Sequence, residues 1–160
     1  MKKKVWPYVL PLPLTEQYSL LSSVFASKVS VKILEFAGSE KRIYQKDLIE
    51  RLSEYSNKTV IGKLKKLVAS GVLNEGMEKK VKHAKIAWVK WYEPTFIGKW
   101  ISLLLQPPGK VPHKEAERIL VELFGLYAKS AINLCVQYNI DPDVLRDAFE
   151  EAFKTSVRGE

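Results

Sequence analysis

The apolar positions divide the chain into helical stretches, one extended hairpin and a proline-rich start. Residues 5–14 (VWPYVLPLPL) are apolar, but Pro7, Pro11 and Pro13 oppose a helix. Residues 1–14 are therefore expected to form an extended, polyproline-like arm lying along its own domain or a partner subunit. Thr15 can cap a helix over residues 16–26, with Tyr18, Leu21, Val24 and Phe25 at helical spacing. Ser27 can cap a second over 28–37, with Val29, Ile33, Leu34 and Phe36 inward and Gly38 as its stop. A third covers 44–52, with Leu48, Ile49 and Leu52 inward, followed by a tight turn through Ser53, Glu54 and Tyr55. Ser56 caps a fourth over 57–70, whose Val60, Leu64, Leu67 and Val68 fall at i, i+4, i+7 and i+8, and Gly71 ends it.

The period then changes. Val72-Leu73 is a short apolar start, residues 79–85 are basic, and residues 86–92 (IAWVKWY) are β-branched and aromatic. That pattern predicts a two-stranded hairpin with a charged tip. Its second strand alternates Ile86, Trp88 and Tyr92 with Ala87, Val89 and Trp91, so neither face is marked as outward, and Trp88, Trp91 and Trp100 read as core. Thr95 caps a helix over 96–106, stopped by Pro107, Pro108 and Gly109. A long helix follows over 113–139, and Asp141-Pro142 starts a last one carrying Leu145, Phe149 and Phe153. The expected fold is mainly α with a small β-hairpin, an α+β arrangement. Its parts are an arm (1–14), a compact domain (15–106), a linker (107–112) and a C-terminal helical segment (113–160).

Composition narrows the chemistry. The single cysteine, Cys135, allows neither an intrachain disulfide nor a thiolate cluster for zinc, and it sits on an apolar helical face as a structural thiol. The histidines His83 and His113 are too far apart for a helical metal pair, the glycines are scattered, and no serine stands in a nucleophile-elbow pattern. No enzyme, metal or cofactor is expected. Lys2, Lys3 and Lys4 ahead of the apolar arm look like a secretory leader, but the prolines interrupt it and no small-residue cleavage pattern follows. Residues 96–105 are the most apolar internal stretch identified, half the ~20 residues needed to cross a bilayer, so no membrane association and a cytoplasmic location are expected.

Charge is the informative quantity. The chain has a formal net charge of +8, with 26 Lys+Arg against 18 Asp+Glu. Residues 1–40 carry +2, residues 41–100 carry +8 and residues 101–160 carry −2. A basic segment beside a slightly acidic one suggests a surface aimed at a polyanion.

The segment 43–73 resembles the helix-turn-helix of winged-helix transcription regulators, the broad group that includes the ArsR, MarR and HxlR families. The matching features are Gln45-Lys46-Asp47-Leu48, the Ser56-capped helix with Thr59-Val60 and Leu64-Lys65-Lys66-Leu67, and the closing Gly71-Val72-Leu73. Tyr92, Thr95 and Gly98, three residues apart, look like the strand-to-helix junction that follows the wing in several of those families. The resemblance covers roughly residues 20–105. It implies a winged helix-turn-helix domain that binds double-stranded DNA, with the helix over 57–70 in the major groove and the hairpin tip along the flanking backbone.

The residue pattern points the same way. With Val60, Leu64, Leu67 and Val68 inward, the fourth helix turns Lys58, Gly62, Lys65, Lys66 and Ala69 outward, with Thr59 and Lys63 on the flanks. A mid-helix Gly62 costs about 1 kcal/mol against Ala, a cost tolerable where backbone must approach a groove. The hairpin adds Lys79, Lys80, Lys82, His83 and Lys85. With no arginine in either cluster, phosphate contact leads and Asn57, Thr59 and Ile61 supply modest sequence discrimination. The C-terminal helices bring more apolar surface than one small domain buries. Leu120, Leu123, Phe124, Tyr127, Leu134, Phe149 and Phe153 are the expected homodimer interface. A module that docks protein or RNA within a larger assembly is the alternative, signalled by an exposed aromatic patch on residues 86–92 together with ion-paired lysines on the fourth helix.

Overall fold

The structure is a computed structural model that describes residues 14–82, 85–107 and 109–158, with side chains over 19–81, 85–107 and 109–157. The expected arm lies outside these residues except for Leu14. So does His83, and so does the Lys82 side chain. The described chain is mainly helical with one three-stranded antiparallel sheet, an α+β arrangement. Its elements are α1 (Leu14–Phe25), α2 (Lys28–Ser39), β1 (Ile43–Tyr44), α3 (Gln45–Arg51), α4 (Asn57–Ala69), β2 (Leu73–Lys82), β3 (Lys85–Pro94), α5 (Phe96–Leu105), α6 (His113–Tyr138) and α7 (Pro142–Arg158). Two compact units divide at Leu120 and Val121, inside α6.

The first unit, Leu12–Leu120, holds the sheet and α1–α5. Side chains from five helices and all three strands meet in its core. Val24, Ile33, Leu34, Leu48, Val60, Leu64, Leu67 and Val72 are fully buried, and Leu20, Ile43, Leu52, Leu73 and Ile101 nearly so. The Ser56 and Thr95 hydroxyls accept from the Thr59 and Gly98 amides, capping α4 and α5 as their sequence positions predict.

Four local expectations are corrected. In α1 the buried positions are Leu20 and Val24, whereas Leu21 and Phe25 stand exposed. The inward stripe is rotated by about one residue because α1 packs on both α2 and α4. Gly38 does not end α2 but lies within it, where a Cβ would fall 2.9 Å from Ser102 Cβ. Helix α5 crosses there, and Ser102 Oγ donates to Leu34 O at 3.1 Å. The sheet has a third strand, β1, pairing Ile43 with Tyr92 and Tyr44 with Trp91 in the order β1-β3-β2. Two residues are too short for any alternation to announce. Trp88 is 60% exposed and Trp91 half-buried, leaving Trp100 as the buried member of the expected trio.

The joint between α4, the hairpin and α5 is tightly specified. Gly71 at φ 73° closes α4, with Gly71 N donating to Val68 O and Val72 N to Leu67 O, the paired bonds of a Schellman ending. Val72 O then accepts from Thr95 N at 3.0 Å, and the Thr95 hydroxyl lies within donating distance of both Gly71 O and Val72 O. Gly98 sits against the same carbonyl, where a Cβ would approach Val72 O to 2.1 Å. The three-residue spacing of Tyr92, Thr95 and Gly98 thus has a mechanical meaning: buried strand end, cap, close approach.

Gly98→Ala should destabilise the protein by about 1–3 kcal/mol, because backbone rather than a flexible side chain blocks the added methyl. A thermal melt is the measurement, with Gly125→Ala as control, since a Cβ at Gly125 meets nothing within 4 Å.

Candidate functional site

Helix α4 presents the face the sequence predicts. Val60, Leu64 and Leu67 are buried and Val68 is half-buried, whereas Asn57, Lys58, Thr59, Gly62, Lys65, Lys66 and Ala69 are exposed; Ile61 and Lys63 are intermediate. Among the described residues no ion pair involves Lys58, Lys63, Lys65 or Lys66. The chain places no acid between residues 57 and 74, so nothing within that stretch offsets the lysines. Thr59 Oγ1 shares a 2.8 Å hydrogen bond with Ser56 Oγ, so this side chain also completes the helix start. Gly62 faces open space, with nothing within 4 Å of a Cβ built there. No packing demand from this chain explains a glycine at that point.

The hairpin falls where the sequence predicts it, but its strands continue through the basic stretch expected as the tip. Ten residues on each side pair from Leu73 with Pro94 to Lys82 with Lys85. Register parity sorts its side chains. One face carries Leu73, Glu75, Met77, Lys79 and Val81 opposite Pro94, Tyr92, Lys90, Trp88 and Ile86; the other carries Asn74, Gly76, Glu78 and Lys80 opposite Glu93, Trp91, Val89 and Ala87. The first face is core at its base, where Leu73 and Tyr92 are 1% and 2% exposed, and solvent-exposed further out. The question of which β3 face points inward therefore has a positional answer. Tyr92 is inward because it lies over the core, and Trp88 and Ile86 are outward because the ribbon has passed the core's edge.

A network on the second face stiffens the hairpin base. Tyr44 Oη donates to Glu78 Oε1 at 2.6 Å, and Arg42 pairs with Glu78 at 3.0 Å and with Glu93 at 3.6 Å. The Arg42 guanidinium also lies 3.9 Å from the centre of the Trp91 ring. Gly76 makes room for that indole, since a Cβ there would come within 2.2 Å of it. The Tyr44 hydroxyl, followed by Arg42 and Lys80, holds the Glu78 carboxyl below the ordinary 4.5. On the first face Lys90 bonds Glu75 at 2.7 Å, which raises the lysine, and burial raises the Tyr92 phenol, whose hydroxyl donates to Gln45.

The outer lysines are less occupied. Lys79 Nζ lies 5.1 Å from the Trp88 ring centre; Lys80 Nζ lies 3.2 Å from that of Tyr44 and 3.8 Å from Glu78; Lys85 is exposed. Among the described residues of the predicted contact set, Lys80 is thus the one engaged with an acid of its own chain. Arg42, Tyr44 and Glu78, and the exposed apolar residues of the hairpin, were not anticipated. The alternation of Met77, Lys79 and Val81 carried the signal for the latter, once the ribbon's length is known.

In the second unit, Phe124 meets Phe149 edge-on at 6.0 Å and Phe149 stacks on Phe153 at 6.2 Å. Phe124, Leu134, Phe149 and Phe153 remain more than half exposed, Tyr127 is half-buried, and Leu123 is buried at 5%. Leu123 is thus covered within one chain, unlike most of the predicted interface set. Leu120, the last residue of the first unit, is 39% exposed. Helix α6 is long and apolar enough to cross a membrane by length and composition, a property that the emphasis on residues 96–105 overlooked. Among the described residues no group of three or more His, Cys, Asp or Glu could hold a metal. Comparison with protein-family models, curated proteins and solved structures finds no match.

The lowered Glu78 carboxyl stabilises the fold when ionised. That contribution is complete above the ordinary 4.5 and is lost as pH falls through the lower folded value. Thermal melts of the native protein and Glu78→Gln should therefore differ near neutrality and converge in acid below that value, while a constant gap across this range would contradict the assignment.

Proposed function

We propose that residues 15–106 form a winged helix-turn-helix domain and that the protein is a homodimeric, non-enzymatic regulator of transcription acting on double-stranded DNA in the cytoplasm. Helix α4 enters the major groove, and the β2–β3 hairpin is the wing that grips the flanking backbone. The single observation that carries the reading is the bare cationic face of α4: four lysines without an ion pair among the described residues and no acid between residues 57 and 74. By contrast, Arg42, Lys80 and Lys90 around the hairpin base all pair with acids. Element order supports it too, with α2, β1, α3, a turn, α4 and the hairpin following one another and β1 completing the sheet beside β3.

Lysine on a flexible stem is suited to phosphate, a point charge meeting a point charge. Lys58, Lys63, Lys65 and Lys66 therefore supply affinity, while Asn57, Thr59 and Ile61 at the start of α4 read base edges. Exposed Gly62 lets the helix backbone approach the groove closely. The apolar surfaces of α6 and α7 pair with a second copy through Leu120, Phe124, Tyr127, Leu134, Phe149 and Phe153, and the pairing sets two α4 helices on successive major grooves. The −2 charge of residues 101–160 suits a part held away from DNA.

One observation favours a second reading. Trp88 and Ile86 form an exposed apolar patch on β3, as a module docking protein or RNA in a larger assembly would present. Its companion sign, ion pairing of the α4 lysines, is missing among the described residues, so DNA remains the better reading.

Affinity for duplex DNA should fall steeply with salt, each neutralised phosphate contributing about −0.9 to the log–log slope. Lys65→Ala and Lys66→Ala should each weaken binding about eightfold at 0.1 M salt and flatten the slope by about 0.9 without altering the melting temperature. A titration of labelled duplex with unchanged affinity would move the site elsewhere. Sedimentation should give twice the 18.3 kDa chain mass, and Phe149→Ser/Phe153→Ser should return it to one chain.

A further inference from the structure

The outer half of the hairpin carries a strip that the phosphate-gripping role does not use. Met77, Val81, Ile86 and Trp88 share one face by register and are 57%, 72%, 66% and 60% exposed. The strip lies on the face that is core at Leu73 and Tyr92, and beyond the Glu75–Lys90 pair the ribbon presents four large apolar residues to solvent. Lys79 interrupts it, with its ammonium over the Trp88 ring at 5.1 Å, and Lys90 lies opposite Met77, bonded back to Glu75. A long exposed ribbon of this kind invites strand pairing unless it is blunted or covered.

Charge identifies what covers it. Between Glu78 and Glu93 the chain holds no acid, whereas Lys79, Lys80, Lys85 and Lys90 are basic. Lys80 and Lys90 pair with Glu78 and Glu75, while Lys79 and Lys85 have no ion pair among the described residues. An apolar strip beside such cations is complementary to a polyanion that offers apolar surface between its charges. Duplex DNA does so in the minor groove, between its two phosphate walls, where several proteins insert apolar side chains between base steps. The shape agrees. Two strands ~4.8 Å apart, with a strip running ~13 Å from Met77 to Val81, make a narrow wedge whose outermost pair is β-branched Val81 and Ile86. A lipid surface is the competing polyanion. The four lysines along α4 in the same unit, without an ion pair among the described residues, favour the linear one.

We propose that the wing is an apolar wedge: Val81 and Ile86 enter the minor groove of duplex DNA and part a base step, while Met77 and Trp88 cover the groove wall behind them. This rests on the DNA-binding reading and extends it, because a wing limited to phosphate contact neither needs these side chains nor deforms DNA. A wedge kinks the duplex toward the major groove, by ~20–90° where such insertion is known. It also favours pyrimidine–purine steps, which unstack most easily. Sequence preference then arises partly at a step that no side chain reads by hydrogen bonding.

The test uses the full chain and end-labelled duplexes with a central TA step or an A-tract, following affinity, salt slope and end-to-end energy transfer. The native protein should bend the TA duplex and prefer it. Val81→Ala/Ile86→Ala, at sites exposed enough to leave folding intact, should lose the bend and about tenfold in affinity while keeping the salt slope. Lys65→Ala/Lys66→Ala should do the reverse, flattening the slope and retaining the bend at saturation. Equal bending and affinity in Val81→Ala/Ile86→Ala would overturn the wedge and leave the DNA reading standing; no duplex binding by the native chain would remove both. Binding to phosphatidylserine vesicles that this double variant abolishes, with DNA affinity unchanged, would assign the strip to lipid and overturn the wedge.

Discussion

The arrangement of the first unit turns on one backbone carbonyl, that of Val72. It accepts the Thr95 amide, lies within reach of the Thr95 hydroxyl, and stands where only a residue without a Cβ can pass at Gly98. Three things are fixed at this point: the exit of the chain from α4, the first rung of the hairpin, and the entry into α5. The φ of 73° at Gly71 and the Schellman bonds from Gly71 and Val72 direct the carbonyl there. Because α4 and the hairpin leave the same joint, the directions of the lysine face and of the ribbon are coupled through a few short hydrogen bonds. No long loop intervenes between them, so neither can reorient without breaking that junction.

From this joint outward the hairpin changes character twice. Near the core its first face is buried and its second is held by Arg42, Tyr44 and Glu78 around Trp91. These pairs are partly exposed, so each contributes modestly, and their value is geometric: hydroxyl, guanidinium and indole together hold β1 to β3 and the ribbon to its twist. Past Glu78 no acid follows before Glu93, and although Lys80 reaches back to Glu78, Lys79 and Lys85 have no ion pair among the described residues. A ribbon anchored at its base and charged at its end is stable as a monomeric feature, because lysines near an edge oppose pairing with another ribbon. The same lysines are available to an anionic partner.

The C-terminal helices pose a different balance. In the second unit three phenylalanines cluster while keeping more than half their surface exposed, and Val121, Val136, Val144 and Val157 are also open. A patch of that extent is costly in water, which is the physical ground of the proposed two-fold pairing. Asn139 takes the left-handed conformation that ends α6, at φ 55°, with Ile140 N donating to Cys135 O, so the turn into α7 is built like the turn out of α4. The apolar character of α6 that the proposed pairing would use is also what makes the helix resemble a membrane span by length and composition.

Much of this was legible in residue order. Helix starts at Ser27, Ser56 and Thr95, the buried stripe of α4, the outward lysines and the stop at Gly71 follow from spacing and capping chemistry, which act over three or four residues and need no distant partner. What spacing could not supply was everything decided across long separations. Gly38 looked like a stop because glycine commonly ends helices, yet α2 continues through it to let α5 cross. Trp88 looked like core because it is large and apolar, but the core ends before the ribbon does. Strand β1 is visible only once β3 lies beside it. Local hydrogen bonding and side-chain period are written in neighbouring residues, so the sequence by itself determined the helices, the hairpin and the sign of their charge. Burial and pairing depend on which surfaces meet, so only the tertiary structure decided where the hairpin leaves the core and which of its faces stays bare.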